Sequence, residues 1–344
     1  MSAAAILLVG VSLPGHTLAG WQIAKTRTPV TFGGVPLVSL DVLGSSVVQR
    51  TLDRFSQAEI TSFSILADGN LPNAGGFLET RPGWSTQIDS LQNELEVWPT
   101  IQRAASRLFA IHEQIFLVWL GSYAEFNPSE ILQFSRDHDH APVRVHDRLG
   151  PVGVWVLNAR SMTQDTSPAA PVKTFLLDGY VNRLSQVEHI RRFASDMLLA
   201  RCTAKPRGVE TRPGVWMDDG AQLHRQARVV PPSYIGKNAK IGADVLITRT
   251  TNVERDCTVD YGTVIEDSSI LANTYIGMGL DIAHSVVQGK ALFHLPERLI
   301  VEIDDAILIG TNRPARLRKI RPKSHLFTTN STKTKPLINT KEVL

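Results

Sequence analysis

The sequence predicts an α/β domain with a mostly parallel sheet, followed by a coil of stacked parallel strands. Three observations predict it. Residues 1–207 alternate short apolar runs with amphipathic helical patterns, which suits a sheet covered on its faces by helices. From Leu223 onward an aliphatic residue returns at every sixth position: Leu223, Val229, Ile235, Ile241, Ile247, Val253, Val259, Ile265 and Leu271. Between the two, residues 204–214 have no periodicity and contain Pro206 and Pro213, the mark of a boundary.

The elements follow in order. Ile6 to Val9 reads as a buried strand ending at Gly10. Val47 to Phe55 has apolar residues at 47, 48, 52 and 55, so it reads as an amphipathic helix capped by Ser45 and Ser46. Phe63 to Ala67 is a second strand and Ile101 to Ile111 a second helix. Ile115 to Leu120 is a strand running into Gly121. Val143 to Val145 and Gly153 to Leu157 read as further strands, and about Val187 to Arg201 as a helix.

A spacing of six fits neither a helix, with its period near 3.6, nor a flat strand, with its period of 2. A triangular coil selects it, because each face takes about six residues and turns one aliphatic inward. Met217 extends the phase backwards; after Leu271 it slips by one, and Ile276, Ile282 and Val287 carry it on. The expected organisation is 1–207 as the α/β domain, 208–310 as the coil and 311–344 as a flexible basic tail.

With 344 residues, 43% hydrophobic and 20% charged, the chain has room for two cores and an ordinary globular composition. Two distant cysteines, Cys202 and Cys257, form neither a metal cluster nor a disulfide framework, which points to the cytoplasm. The net charge of +3 misleads: from Thr311 on, nine Lys or Arg face one acid, leaving residues 1–310 at −5. Basicity belongs to the tail, so nucleic-acid binding is not expected; the tail reads as solvated, with weak contact with an anionic membrane surface as the alternative. The apolar N-terminus lacks a basic flank, since the first cation is Lys25, and no run is long enough for a transmembrane segment.

The six-residue ladder resembles the hexapeptide repeat of left-handed β-helices, whose members mostly transfer acyl groups or adjoin sugar-nucleotide enzymes. Three segments sharpen the likeness. Val35-Pro-Leu-Val-Ser-Leu with the helix from Val47 to Phe55, the strand Ile115 to Gly121, and Pro213 to His224 leading into the coil are similar to the sugar-1-phosphate nucleotidyltransferases, such as the GDP-mannose pyrophosphorylases. That resemblance implies attack of a sugar phosphate on the α-phosphate of a nucleoside triphosphate, releasing pyrophosphate. Catalysis there is positioning and charge neutralisation, by a glycine-rich loop, an Arg, a Lys and aspartate-held Mg²⁺.

Each part is altered here. The loop reads Gly10-Val-Ser-Leu-Pro-Gly15, which keeps Gly10 and Gly15 for close backbone approach but has no Arg, and no Lys or Arg occurs before Lys25. Val35 stands where the resemblance implies a Lys, and Ser122, after Gly121, where it implies a metal-binding Asp. Glu125 is the candidate substitute for that ligand, with Mg²⁺ as cofactor if transfer is retained. The expectation is therefore a divergent, catalytically impaired homologue that binds a nucleotide or nucleotide-sugar. It would serve polysaccharide-precursor metabolism as a regulatory, binding or assembly subunit, as a homo-oligomer or as partner of an active pyrophosphorylase through the β-helix.

Two other enzymatic readings compete: an active nucleotidyltransferase with unconventional ligands, and a hexapeptide acyltransferase using His284 or His224 as general base. Asp137-His-Asp-His140, with His146 and Asp147, has the residue types of a metal site, although solvated helix-end charges give the same pattern. Trp155, Trp216 and Phe293 are expected in core or interdomain contacts.

Overall fold

The first apolar run folds as the centre of a seven-stranded sheet. The computed structural model describes residues 2–18, 21–69, 78–79, 81–162 and 171–312. Its principal strands are β1 (Ala3–Val9), β2 (Ser62–Asp68), β3 (Ser85–Leu91), β4 (Gln114–Trp119), β5 (Val143–Asp147), β6 (Gly150–Asn158) and β7 (Lys173–Leu176). They lie in the order β7-β5-β6-β4-β1-β2-β3. Strand β1 runs parallel to β2 and β4, whereas β6 is antiparallel to β4 and β5. Strands β3 and β7 are not foreshadowed by apolar runs, because both are edge strands with much of their surface in solvent.

Among the described residues four α-helices cover the sheet: α1 (Val47–Gln57), α2 (Val97–Phe109), α3 (Pro128–Arg136) and α4 (Glu188–Leu198). Helix α1 starts where predicted, with the Ser46 side chain accepting the Gln49 N–H at 3.1 Å. Helix α2 starts four residues before Ile101, because Val97 and Trp98 extend its buried face. Alternation along β1 divides the core: Ala5, Leu7 and Val9 face the cluster that includes α1 and α4, and Ile6 and Leu8 face α2.

The coil builds three faces of short strands. Equivalent positions are three hexapeptides apart, as Lys240 opposite Thr258 and Leu246 opposite Val264. From Val229 to Ile265 every residue of the six-residue ladder lies in one core cluster, and Ile276, Ile282 and Val287 continue it. The slip falls one step earlier than the sequence suggests. Val253 pairs with Ile270, which takes the inward position, and Leu271 turns outward into the core of the α/β domain. The first rung also departs from expectation: Leu223, on the open end turn, is 37% exposed.

One coil face packs on the α/β domain. Tyr234, Leu271, Val286 and Phe293 join the same apolar cluster as Val42, Leu43, Phe193 and α1, with Trp216 against it. Charged groups lock this seam. The Glu254 carboxylate accepts the Leu43 N–H at 2.7 Å and the Gly44 N–H at 2.9 Å, at the tip of the hairpin that leads into α1. Arg255 pairs with Asp41 at 2.5 Å, and Arg191 of α4 with Asp267 of the coil at 2.6 Å. Residues 1–312 accordingly form one compact unit. The expected flexible tail lies, from residue 313 on, outside the described residues.

Candidate functional site

Strands β1 and β4 run parallel, so their carboxyl ends open at the same edge of the sheet, where crevices form in open α/β sheets. A cleft of about 530 Å³ lies there. One wall is the segment after β1, with Lys25, Arg27 and Val30; the other comes from β4 to β6, with Trp119, Ser122, Arg144, His146 and Trp155.

Trp119 is placed by its neighbours. A Cβ on Gly121 would collide with its ring, and a Cβ on Gly153 would overlap its carbonyl, so two glycines on adjacent segments make room for it. Its indole N–H donates to the Val11 carbonyl at 3.0 Å, which ties the loop after β1 to the cleft floor. That loop is stapled twice more, by Trp98 Nε1 donating to the Pro14 carbonyl at 2.8 Å and by Ser12 donating to Glu94. Gly10 takes a left-handed φ of 71°, while Gly15 backs against Lys25; neither lines the cleft, and Gly121 does.

The cleft is cationic. Lys25, Arg27, Arg144 and Arg183 line it, and among the described residues no Asp or Glu does. Arg183 is taken up by Asp147 and by the Pro151 and Gly150 carbonyls. Lys25 reaches Glu94 only at 3.6 Å, on the surface. Arg144 donates to the neutral Thr174 hydroxyl at 2.9 Å, and Arg27 is exposed. Burial, and then the Arg144 guanidinium, holds His146 below the usual imidazole range, so it is neutral at pH 7.

The donors that Mg²⁺ would need do not assemble. The Ser122 hydroxyl donates to the Val152 carbonyl at 3.0 Å. Glu125 is buried away from the cleft, where its carboxylate accepts the backbone N–H groups of Thr203 and Ala204 at 2.9 Å and the Tyr123 hydroxyl at 3.1 Å. It fastens the chain after α4 to the sheet domain. Among the described residues no group of three or more His, Cys, Asp or Glu side chains is arranged to hold a metal. The 137–140 motif is a helix end: Asp137 accepts from Gln133 and His138 Nδ1 contacts the Phe134 carbonyl at 2.8 Å. Asp139 and His140 both take left-handed φ values of 56°, turning the chain toward β5.

The coil histidines lie elsewhere. His224 sits exposed at a corner, its Nδ1 accepting the Gln226 N–H at 3.2 Å. His284 belongs to the seam, with Nδ1 2.7 Å from Asp267. Burial opposes ionisation of Asp267, but the His284 hydrogen bond and Arg191 outweigh it and hold the carboxyl below its usual range. The structure therefore brings together Gly121, Ser122 and the cations of residues 25–27 and 144. It does not bring Glu125, His224 or His284 to them. Lys25, Arg27, Trp119 and Arg144 were missed in the sequence, where nothing marks them except residue type.

No family model matches the sequence, and no curated protein matches it. Among solved structures, HddC from Yersinia pseudotuberculosis aligns with 12% identity and a TM-score of 0.39, covering 56% of this chain and 100% of that one.

Proposed function

We propose that this chain is a nucleotidyltransferase-like protein that binds a nucleotide or nucleotide-sugar without turning it over. It then serves sugar-nucleotide or polysaccharide-precursor metabolism as a regulatory, binding or assembly subunit. The observation that carries this reading is the charge of the cleft: Lys25, Arg27 and Arg144, with no acid among the described lining residues. A diphosphate is an anion such cations recognise, and guanidinium groups bind phosphate oxygens in bidentate fashion. Trp119 offers an aromatic surface for a planar base.

The same site is poor at the chemistry. Transfer at an α-phosphate needs charge stabilisation that grows in the transition state, and cations that serve bound ligand and transition state alike do not accelerate it. With Ser122 and Glu125 turned to structural hydrogen bonds, the site keeps affinity and lacks the anionic metal ligands. The two cysteines are free thiols, which suits a reducing cytoplasm. Among the described residues no helix is long and apolar enough to cross a membrane.

The test is calorimetry with nucleoside diphosphate-sugars and nucleoside triphosphates, alongside an assay for pyrophosphate release. Saturable binding that Arg27→Glu weakens, with no pyrophosphate release, is expected. Turnover above the background rate, or no binding of any of these ligands, would overturn the proposal.

A further inference from the structure

The last strand of the large coil sheet, Leu299–Glu302, presents an open edge. It pairs antiparallel with Ala291–His294 on one side and, among the described residues, with nothing on the other. Its side chains are exposed on both faces: Leu299 is 55%, Ile300 54% and Val301 41% exposed. Three consecutive aliphatics on an open edge are what soluble proteins ordinarily avoid, because the free N–H and C=O groups template another strand. From Val229 to Ile265, by contrast, the aliphatics of the six-residue ladder lie inside the coil.

The pairing fixes which groups are free. Ile303 N–H donates to the Lys290 carbonyl at 2.8 Å, so the bonded pairs toward Ala291–His294 alternate from there through Val301 and Leu299. The backbone N–H and C=O of Ile300 and Glu302 therefore point outward. The charges around the strand are polar along its length. Arg298, which also pairs with Glu188 of α4 at 2.7 Å, precedes it, while Glu302, Asp304 and Asp305 gather at its other end, with Lys290 the cation beside them. An antiparallel copy of the same strand sets the basic end against the acidic end, and a parallel one sets like against like.

We propose that Leu299–Glu302 is a self-association edge, at which a second copy of this chain adds its own Leu299–Glu302 antiparallel about a two-fold axis. A register centred on Val301 joins Ile300 of each copy to Glu302 of the other and uses all four outward backbone groups. It sets Val301 against Val301 and extends the coil sheet across both protomers. The inference is independent of whether the cleft binds a ligand.

The test is sedimentation equilibrium of the full chain across roughly 1–100 µM, with hydrogen exchange at the same concentrations. A concentration-dependent dimer is expected, with the Ile300 and Glu302 amides gaining protection as it forms. Ile300→Pro removes one outward donor and leaves the bonds to Ala291–His294 in place; Val301→Lys adds like charge at the axis. Both are expected to give a monomer with an unchanged circular dichroism spectrum and the melting temperature that the wild type shows at concentrations where it too is monomeric. A wild-type monomer throughout this range would overturn the proposal, as would a dimer that both folded variants retain. Protection of both amides in the monomer would also overturn it, by showing that another segment of the same chain covers the edge.

Discussion

The seam between coil and sheet domain and the cleft at the sheet edge are both rich in charge, and they use it in opposite ways. In the seam, Glu254 is met by two backbone N–H groups, Arg255 by Asp41 and Arg191 by Asp267. In the cleft, Lys25, Arg27 and Arg144 face solvent, with no acid among the described lining residues. Burying an ion without a partner is expensive, so seam charges are explained by the fold they hold. Exposed cations that pair with little do no comparable structural work. The difference separates charge that the fold explains from charge that supports the proposed ligand site.

The largest effect expected from breaking the seam comes from its apolar part. Leu271→Ala empties a buried position between the two domains and is expected to destabilise the protein by about 3 kcal/mol, against less than about 1 kcal/mol for Leu223→Ala at the open end. Urea denaturation of the two variants measures both. Equal losses would return Leu271 to the rank of an ordinary ladder residue.

Next is Glu254. Burial, and then the neighbouring Asp41 carboxylate, pushes its carboxyl from the usual 4.5 up to about 7, against the pull of the Gly44 and Leu43 N–H groups. The folded state thus holds this proton more tightly than the unfolded chain. Its contribution is fully present below about pH 4.5 and is lost as pH rises through about 7, to the extent of about 3 kcal/mol. Glu254→Gln does not titrate, so the stability difference between wild type and variant should shift against the wild type across that window. A difference that stays flat would mean that the carboxylate is ionised throughout.

Glu125→Ala orphans the Thr203 and Ala204 N–H groups and is expected to destabilise by about 2 kcal/mol while leaving ligand affinity unchanged. Loss of binding at full stability would place Glu125 with the cleft instead. The smallest effect on folding comes from the cleft itself. Arg27→Glu is expected to weaken anion binding roughly tenfold by calorimetry, and to change stability by less than about 0.5 kcal/mol. A large stability loss would mean that Arg27 holds structure.

The coil was legible because its period is enforced by sterics: Val229 to Ile265 have one inward slot per face, and any polar residue there would be buried unpaired. The helix from Val47 was legible through its apolar spacing and its Ser46 cap. Leu271 was misread because a ladder reports that a residue is buried, not which core buries it. Glu125 was a plausible metal ligand by type, and only the fold shows the Thr203 and Ala204 amides closing on it. The cleft was illegible for the same reason. Trp119 is positioned by Gly121 and Gly153, which lie apart in sequence, and the cations converge from two segments more than a hundred residues apart.

On the proposed function the cleft binds a phosphate-bearing ligand by protein cations alone, and the decisive experiment titrates a nucleoside diphosphate-sugar into the wild-type protein in EDTA and again in excess Mg²⁺, following the tryptophan fluorescence. Saturable binding in EDTA is expected, no tighter in Mg²⁺ and weakened by added salt. Binding that appears only with Mg²⁺ would contradict it.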